Sequence, residues 1–79
     1  MLKARHAVHK KDVYKFYTLK LEDIEEISTT FNLPVTCNEG VWTINKMPFE
    51  FGNLILVTES SVAIITEDIY NQNYQPVMH

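Results

Sequence analysis

One cysteine, two glycines and three prolines among 79 residues exclude several architectures at once. Cys37 alone cannot close an intramolecular disulfide, so a stapled secreted scaffold is excluded and a cytoplasmic setting is the expectation. So few glycines and prolines rule out collagen-like or linker composition. A glycine-rich phosphate loop is missing too, because Gly40 and Gly52 are isolated and each more simply serves a turn. No apolar run approaches the roughly 18 residues of a membrane span, and none follows the basic residues at the start, so neither an anchor nor a signal peptide is expected. Positive charge is scarce beyond the first twenty residues. Lys3, Arg5, Lys10, Lys11, Lys15 and Lys20 stand there against Asp12, a balance of +5, whereas the other 59 residues hold Lys46 against nine acids, a balance of −8.

What is present is enough for one small domain over residues 1–79. Hydrophobic residues make up 46% and charged residues 22%, which suits a compact core but leaves too few side chains for a second one. Residues 1–11 are read as a flexible basic arm that can fray, lie along a phosphate backbone or fold against an acidic surface. The aromatic and β-branched run Val13–Thr18 predicts a first strand. Leu21, Ile24, Ile27, Ser28 and Phe31 recur at threes and fours, predicting an amphipathic helix over Leu21–Phe31, with Thr18 as its N-cap and Glu22, Asp23, Glu25 and Glu26 on its outer face. Asn32 in a left-handed conformation and Pro34 end it.

Val35–Cys37 and Val41–Ile44 predict a hairpin across Asn38-Glu39-Gly40, and residues 45–53, with Pro48 and Gly52, a connection anchored by Phe49 and Phe51. Leu54–Thr58 and Ser61–Ile65 are the strongest apolar pair, expected to be central. Their nearly continuous character predicts cover on both faces, by the helix on one and by a second sheet layer, a loop or a partner subunit on the other. Thr66 caps a short helical turn through Tyr70, and residues 75–79 leave as an extended tail. The expected fold class is therefore α+β: a small, mainly antiparallel sheet of four or five strands against one amphipathic helix, with a short C-terminal helical turn.

The chemistry-bearing residues are sparse. His6-x-x-His9 has a spacing suited to two metal ligands on a helix or turn, but Cys37 and an acid would have to complete the set. Cys37 reads as a small buried hydrophobe. Adjacent acids such as Glu25-Glu26 and Glu67-Asp68 suit capping and solvation better than acid/base work. No nucleophile, base and orienting group stand together, no catalytic residue is assigned, and no metal or cofactor is expected.

Read as a whole, Phe51-Gly52-Asn53-Leu54-Ile55, Val62-Ala63-Ile64-Ile65, Glu67-Asp68-Ile69-Tyr70 and Tyr74-Gln75-Pro76-Val77 resemble the C-terminal part of a family of short proteins encoded by bacteriophages and prophages. The resemblance covers roughly the last 30 residues and implies a phage-type origin and an approximate fold; it carries over no catalytic role. The function expected is a non-enzymatic accessory protein that binds a host or phage protein and modulates or inhibits it. The acidic residues Glu22, Asp23, Glu25 and Glu26, with Trp42 and Tyr70 as exposed aromatics, would form the contact surface. The alternatives are a nucleic-acid-binding regulator using Lys3, Arg5, Lys10, Lys11, Tyr14 and Lys15, with the tyrosine as a stacking platform, and a self-assembling structural protein.

Overall fold

Ten short elements follow one another in a computed structural model that describes residues 2–76. They are β1 (Arg5–His9), β2 (Asp12–Thr18), α1 (Ile24–Phe31), β3 (Val35–Asn38), β4 (Val41–Ile44), β5 (Met47–Phe49), β6 (Leu54–Val57), β7 (Val62–Ile65), α2 (Glu67–Asn73) and β8 (Gln75–Pro76). The fold is α+β. Two antiparallel sheets replace the single one expected: five strands in the order β7-β6-β2-β1-β8, and three in the order β3-β4-β5.

The register sorts the side chains of the larger sheet into two faces, because neighbours along a strand point opposite ways. Tyr17, Ile55 and Ile64 fall on one face, and Phe16, Leu56 and Ala63 on the other. The first face meets α1 and the smaller sheet in a core of Leu19, Ile24, Ile27, Leu33, Ile44, Phe49 and Ile55. On the second, α2 covers Ala7, Phe16 and Leu54 with Tyr70, while Tyr14, Leu56, Ile65 and Tyr74 pack around them. The two-sided cover expected for the apolar strand pair is thus present within the chain. Only β6 of that pair is interior; β7 lies at an edge of the sheet.

Residues expected in a flexible arm instead form β1, which pairs with β2 from Arg5↔Phe16 to His9↔Asp12 and with β8 at Ala7 and Val8. Gln75 and Pro76 of the expected tail are that eighth strand; Val77 to His79 lie outside the described residues. The helix begins three residues later than its periodicity suggests. Leu19 still belongs to the sheet, its N–H donating to the Asn53 carbonyl and its own carbonyl accepting from Gly52, both at 2.8 Å. Thr18 is held in β2 opposite Leu54 and cannot serve as an N-cap. The chain turns over residues 20–23, with Asp23 N–H donating to the Lys20 carbonyl, and Asp23 takes the N-cap position without a side-chain cap bond. At the other end Asn32 is left-handed at φ 54°, as expected.

The β3–β4 hairpin closes through Glu39 and Gly40, both at positive φ. A second hairpin, unforeseen in residues 45–53, closes through Asn45 and Lys46 at φ 51° and 68°, the signature of the primed turn that matches strand twist. Pro48 is tolerated in β5 because that strand is an edge. α2 starts at a satisfied cap: Thr66 Oγ1 accepts from the Ile69 N–H at 3.2 Å. Thr66→Ala should cost about 1 kcal/mol in denaturant unfolding; an unchanged midpoint would show that the cap contributes nothing.

Candidate functional site

The acidic residues singled out on the helix do not act as one face. Glu22 and Glu25 are exposed, while Asp23 is half-buried at the N-cap position. Glu26 accepts a hydrogen bond from the Leu2 N–H at 3.1 Å. A shallow depression of about 480 Å³ gathers Lys3, Arg5 and Lys20 with Glu22 and Asp23, beside Tyr17 and Thr18. The basic N-terminal segment therefore lies against acidic groups of its own chain, one of the three fates its sequence allowed.

Tyr70, expected as an exposed contact, is 4% exposed. Its ring meets Phe16 edge-on at 5.2 Å and stacks on Tyr74 at 5.9 Å. The Arg5 guanidinium lies 5.7 Å above the Tyr70 ring and reaches Glu67 with both carboxylate oxygens at 2.9 Å. Periodicity did place Tyr70 on an apolar stripe with Ile69 and Tyr74; the missing information was that the second sheet face needs α2 as its lid.

Trp42, expected as an exposed contact, is not exposed. It is half-buried on the central strand of the smaller sheet, between its cross-strand partners Cys37 and Phe49, with the Phe51 ring at 5.1 Å and that of Phe49 at 6.5 Å. Two further residues extend this surface. The loop 50–53 is stitched along residue 19 by the two backbone bonds at Leu19, so Phe51 and Leu21 sit just beyond them on adjoining segments. Both are exposed, Leu21 at 67% and Phe51 at 39%. Sequence reasoning had assigned Leu21 to the buried stripe of the helix and Phe51 to the core. The available signal was Gly52-Asn53, whose turn precedes β6 and lets the residue before it swing outward. At this corner of the fold Phe51 packs on Trp42 beside its sequence neighbour Glu50, and Leu21 and Glu22 are exposed on the adjoining segment. Next to it a cleft of about 440 Å³ is lined by Val41, Trp42, Pro48, Phe49, Glu50 and Thr66, among others.

The residues of the nucleic-acid alternative are dispersed. Lys10 and Lys11 form the turn between β1 and β2, and Lys15 shares a face with its cross-strand neighbour His6, all exposed. Tyr14, one residue along, points to the opposite face and meets Tyr74 edge-on at 6.1 Å, so it offers no stacking platform beside Lys15. Lys3 is exposed, while Arg5 is held by Glu67.

The histidine pair is divided as well, because positions three apart on a strand face opposite ways. His9 Nδ1 lies 3.2 Å from the Asn73 carbonyl, and its ring meets Tyr74 at 5.1 Å. Among the described residues no group of three or more His, Cys, Asp or Glu side chains could hold a metal ion. Cys37, expected in the core, is exposed on the edge strand β3 opposite Trp42. No helix among the described residues is long and apolar enough to cross a membrane. No family model, curated protein or solved structure matches the chain.

Proposed function

We propose that this protein is a small, non-enzymatic, phage-type accessory module acting in the host cytoplasm, where it binds a host or phage protein and thereby modulates or inhibits it. The observation that carries this reading is the exposed Phe51 ring packed on Trp42 beside the exposed carboxylate of Glu50, with exposed Leu21, Glu22 and Glu25 on the segment that adjoins through Leu19. Large rigid side chains beside unburied charge are what a protein interface uses for its anchors and its rim. A stable complex takes about 800 Å² from each partner, a modest share of the 5857 Å² presented by this chain. The non-enzymatic reading is supported by the separation of Cys37, His6 and His9 onto different sheets and faces. The phage-type assignment is supported by the C-terminal sequence resemblance.

The test is affinity capture from nuclease-treated host lysate with the protein and with a Leu21→Glu, Phe51→Ser variant. A stoichiometric protein retained by the first and lost with the second is the expected result. Equal capture by both would remove this corner as the binding surface. The exposed Lys10, Lys11 and Lys15 around one hairpin support a second reading, nucleic-acid regulation. That reading requires material released by nuclease and an affinity that falls steeply with salt.

A further inference from the structure

Each sheet ends in two edges: two carry proline, a third is mostly polar and the fourth is apolar. Pro48 lies in β5 and Pro76 in the two-residue β8, and proline cannot donate to an added strand. β3 presents the exposed residues Thr36, Cys37 and Asn38. β7, Val62-Ala63-Ile64-Ile65, has neither proline nor charge, and three of its residues are half-buried apolar side chains. Exposed edges of this kind are templates for pairing with another chain.

The direction of its free main-chain groups follows from the turn. The Thr58 N–H donates to the Ser61 carbonyl at 2.8 Å, so that pair is hydrogen-bonded across the hairpin. Alternation along an antiparallel ladder then makes Val57↔Val62 and Ile55↔Ile64 non-hydrogen-bonded pairs. The N–H and C=O groups of Val62 and Ile64 consequently point away from β6, toward the open edge.

Charge selects the occupant. From residue 47 to residue 78 there is no lysine, arginine or histidine. Glu59 precedes β7 and Asp68 follows it, both exposed, while Glu67 is engaged by Arg5. Thr66, directly after β7, lines the cleft with Trp42, Phe49 and Glu50, so an added strand running past Ile65 meets a pocket of mixed polar and apolar lining that includes a carboxylate. A second copy fits poorly: antiparallel self-pairing through the outward residues, with Val62 opposite Ile64, would set Glu59 opposite Glu67 of that copy, like charge against like.

Resting on the protein-binding reading above, we infer that the β7 edge takes up an extended segment of its partner by strand addition, and that this segment is apolar at alternate positions and flanked by lysine or arginine. Main-chain pairing with Val62 and Ile64 supplies the docking, the cleft beside Trp42 receives a side chain, and Glu50, Glu59 and Asp68 choose a basic partner over an acidic one.

The probe is a synthetic peptide of alternating valine and threonine flanked by lysines, with a glutamate-flanked peptide of the same core as control. Titration into the isotopically labelled protein is followed by amide chemical shifts. Saturable binding is expected, with the largest shifts at Val62–Thr66, and binding of the control should be about tenfold weaker or more at low salt. Ile64→Pro removes one outward N–H without touching the ladder to β6 and should abolish saturation. Glu59→Lys with Asp68→Lys, which leaves the strand intact, should weaken binding by about tenfold even if the proline variant fails to fold. Absence of saturation, or shifts centred on α1 or on the β1–β2 hairpin, would overturn the inference. Undiminished capture by the charge-reversed protein of a partner that needs Leu21 and Phe51 would overturn strand addition alone and leave the protein-binding reading standing.

Discussion

Phe16→Ala should lower the free energy of unfolding by about 3–5 kcal/mol. The side chain is fully buried in β2 and stands between the two tyrosines of α2, with ring centroids 5.2 Å from Tyr70 and 4.8 Å from Tyr74. Both contacts are edge-on, the arrangement favoured by the ring quadrupole, so truncation removes pairwise attraction as well as buried area. A chain of this length has a total stability of about 4–12 kcal/mol, so the variant loses a large fraction of it. Guanidinium unfolding followed by near-ultraviolet circular dichroism tests this directly. A loss below about 1 kcal/mol would mean that α2 does not close this face. Arg5 gives the same face a secondary tie, because its guanidinium holds Glu67 at the start of α2 while lying over Tyr70. That pair is substantially exposed, and exposed ion pairs contribute only about 0–1 kcal/mol; the rings dominate.

Local signals were legible where they were self-sufficient. Asn32 and Pro34 stop α1, Gly40 turns the β3–β4 hairpin, and Thr66 opens α2 because each acts through its own backbone or side chain over a few residues. The features that went unread depend on distant partners. β1 has only Ala7 fully buried, so its sequence Arg5-His6-Ala7-Val8-His9 shows no apolar alternation. It is a strand because β2 and β8 supply ladder bonds on both sides. β5 was concealed by Pro48 and by a turn, Asn45-Lys46, whose second residue takes a positive φ without being glycine.

The candidate site shows the same division. Glu22, Glu25 and Trp42 could be nominated from residue type, but that the segment of Leu21 adjoins that of Phe51 is set by Leu19 pairing with the 52–53 segment, more than thirty positions away in sequence. Tyr70 was misassigned for the converse reason. An aromatic residue on a short helix looks the same in sequence whether it faces solvent or lids a sheet, and only the two-sided packing of β6 requires the second.

That two-sided packing yields the second large effect. Leu54 and Ile55 are successive residues of β6, both fully buried, yet they belong to different cores: Leu54 packs with Phe16 and Tyr70, Ile55 with Ile27 and Ile44. Leu54→Ala and Ile55→Ala should each cost about 2–5 kcal/mol. Their cavities open on opposite faces, so the double variant should lose nearly the sum, about 4–10 kcal/mol, and be unfolded without denaturant wherever that loss exceeds the total of about 4–12 kcal/mol. Thermal unfolding of the single variants, and circular dichroism of the double, measure this. A double variant that is hardly less stable than the worse single would show that the two clusters share one cavity and collapse together. Strand addition at β7 depends on the same arrangement, since β6 holds β7 in register through Leu54↔Ile65 to Val57↔Val62. With either core opened, the single-core variants should bind the lysine-flanked probe more weakly in proportion to their unfolded fraction, whereas Glu59→Lys with Asp68→Lys should weaken it with only the small fall in stability, about 1 kcal/mol or less, that loss of an acid from the first turn of α2 brings. A loss of binding that tracks stability is thereby separated from one that tracks charge at the edge.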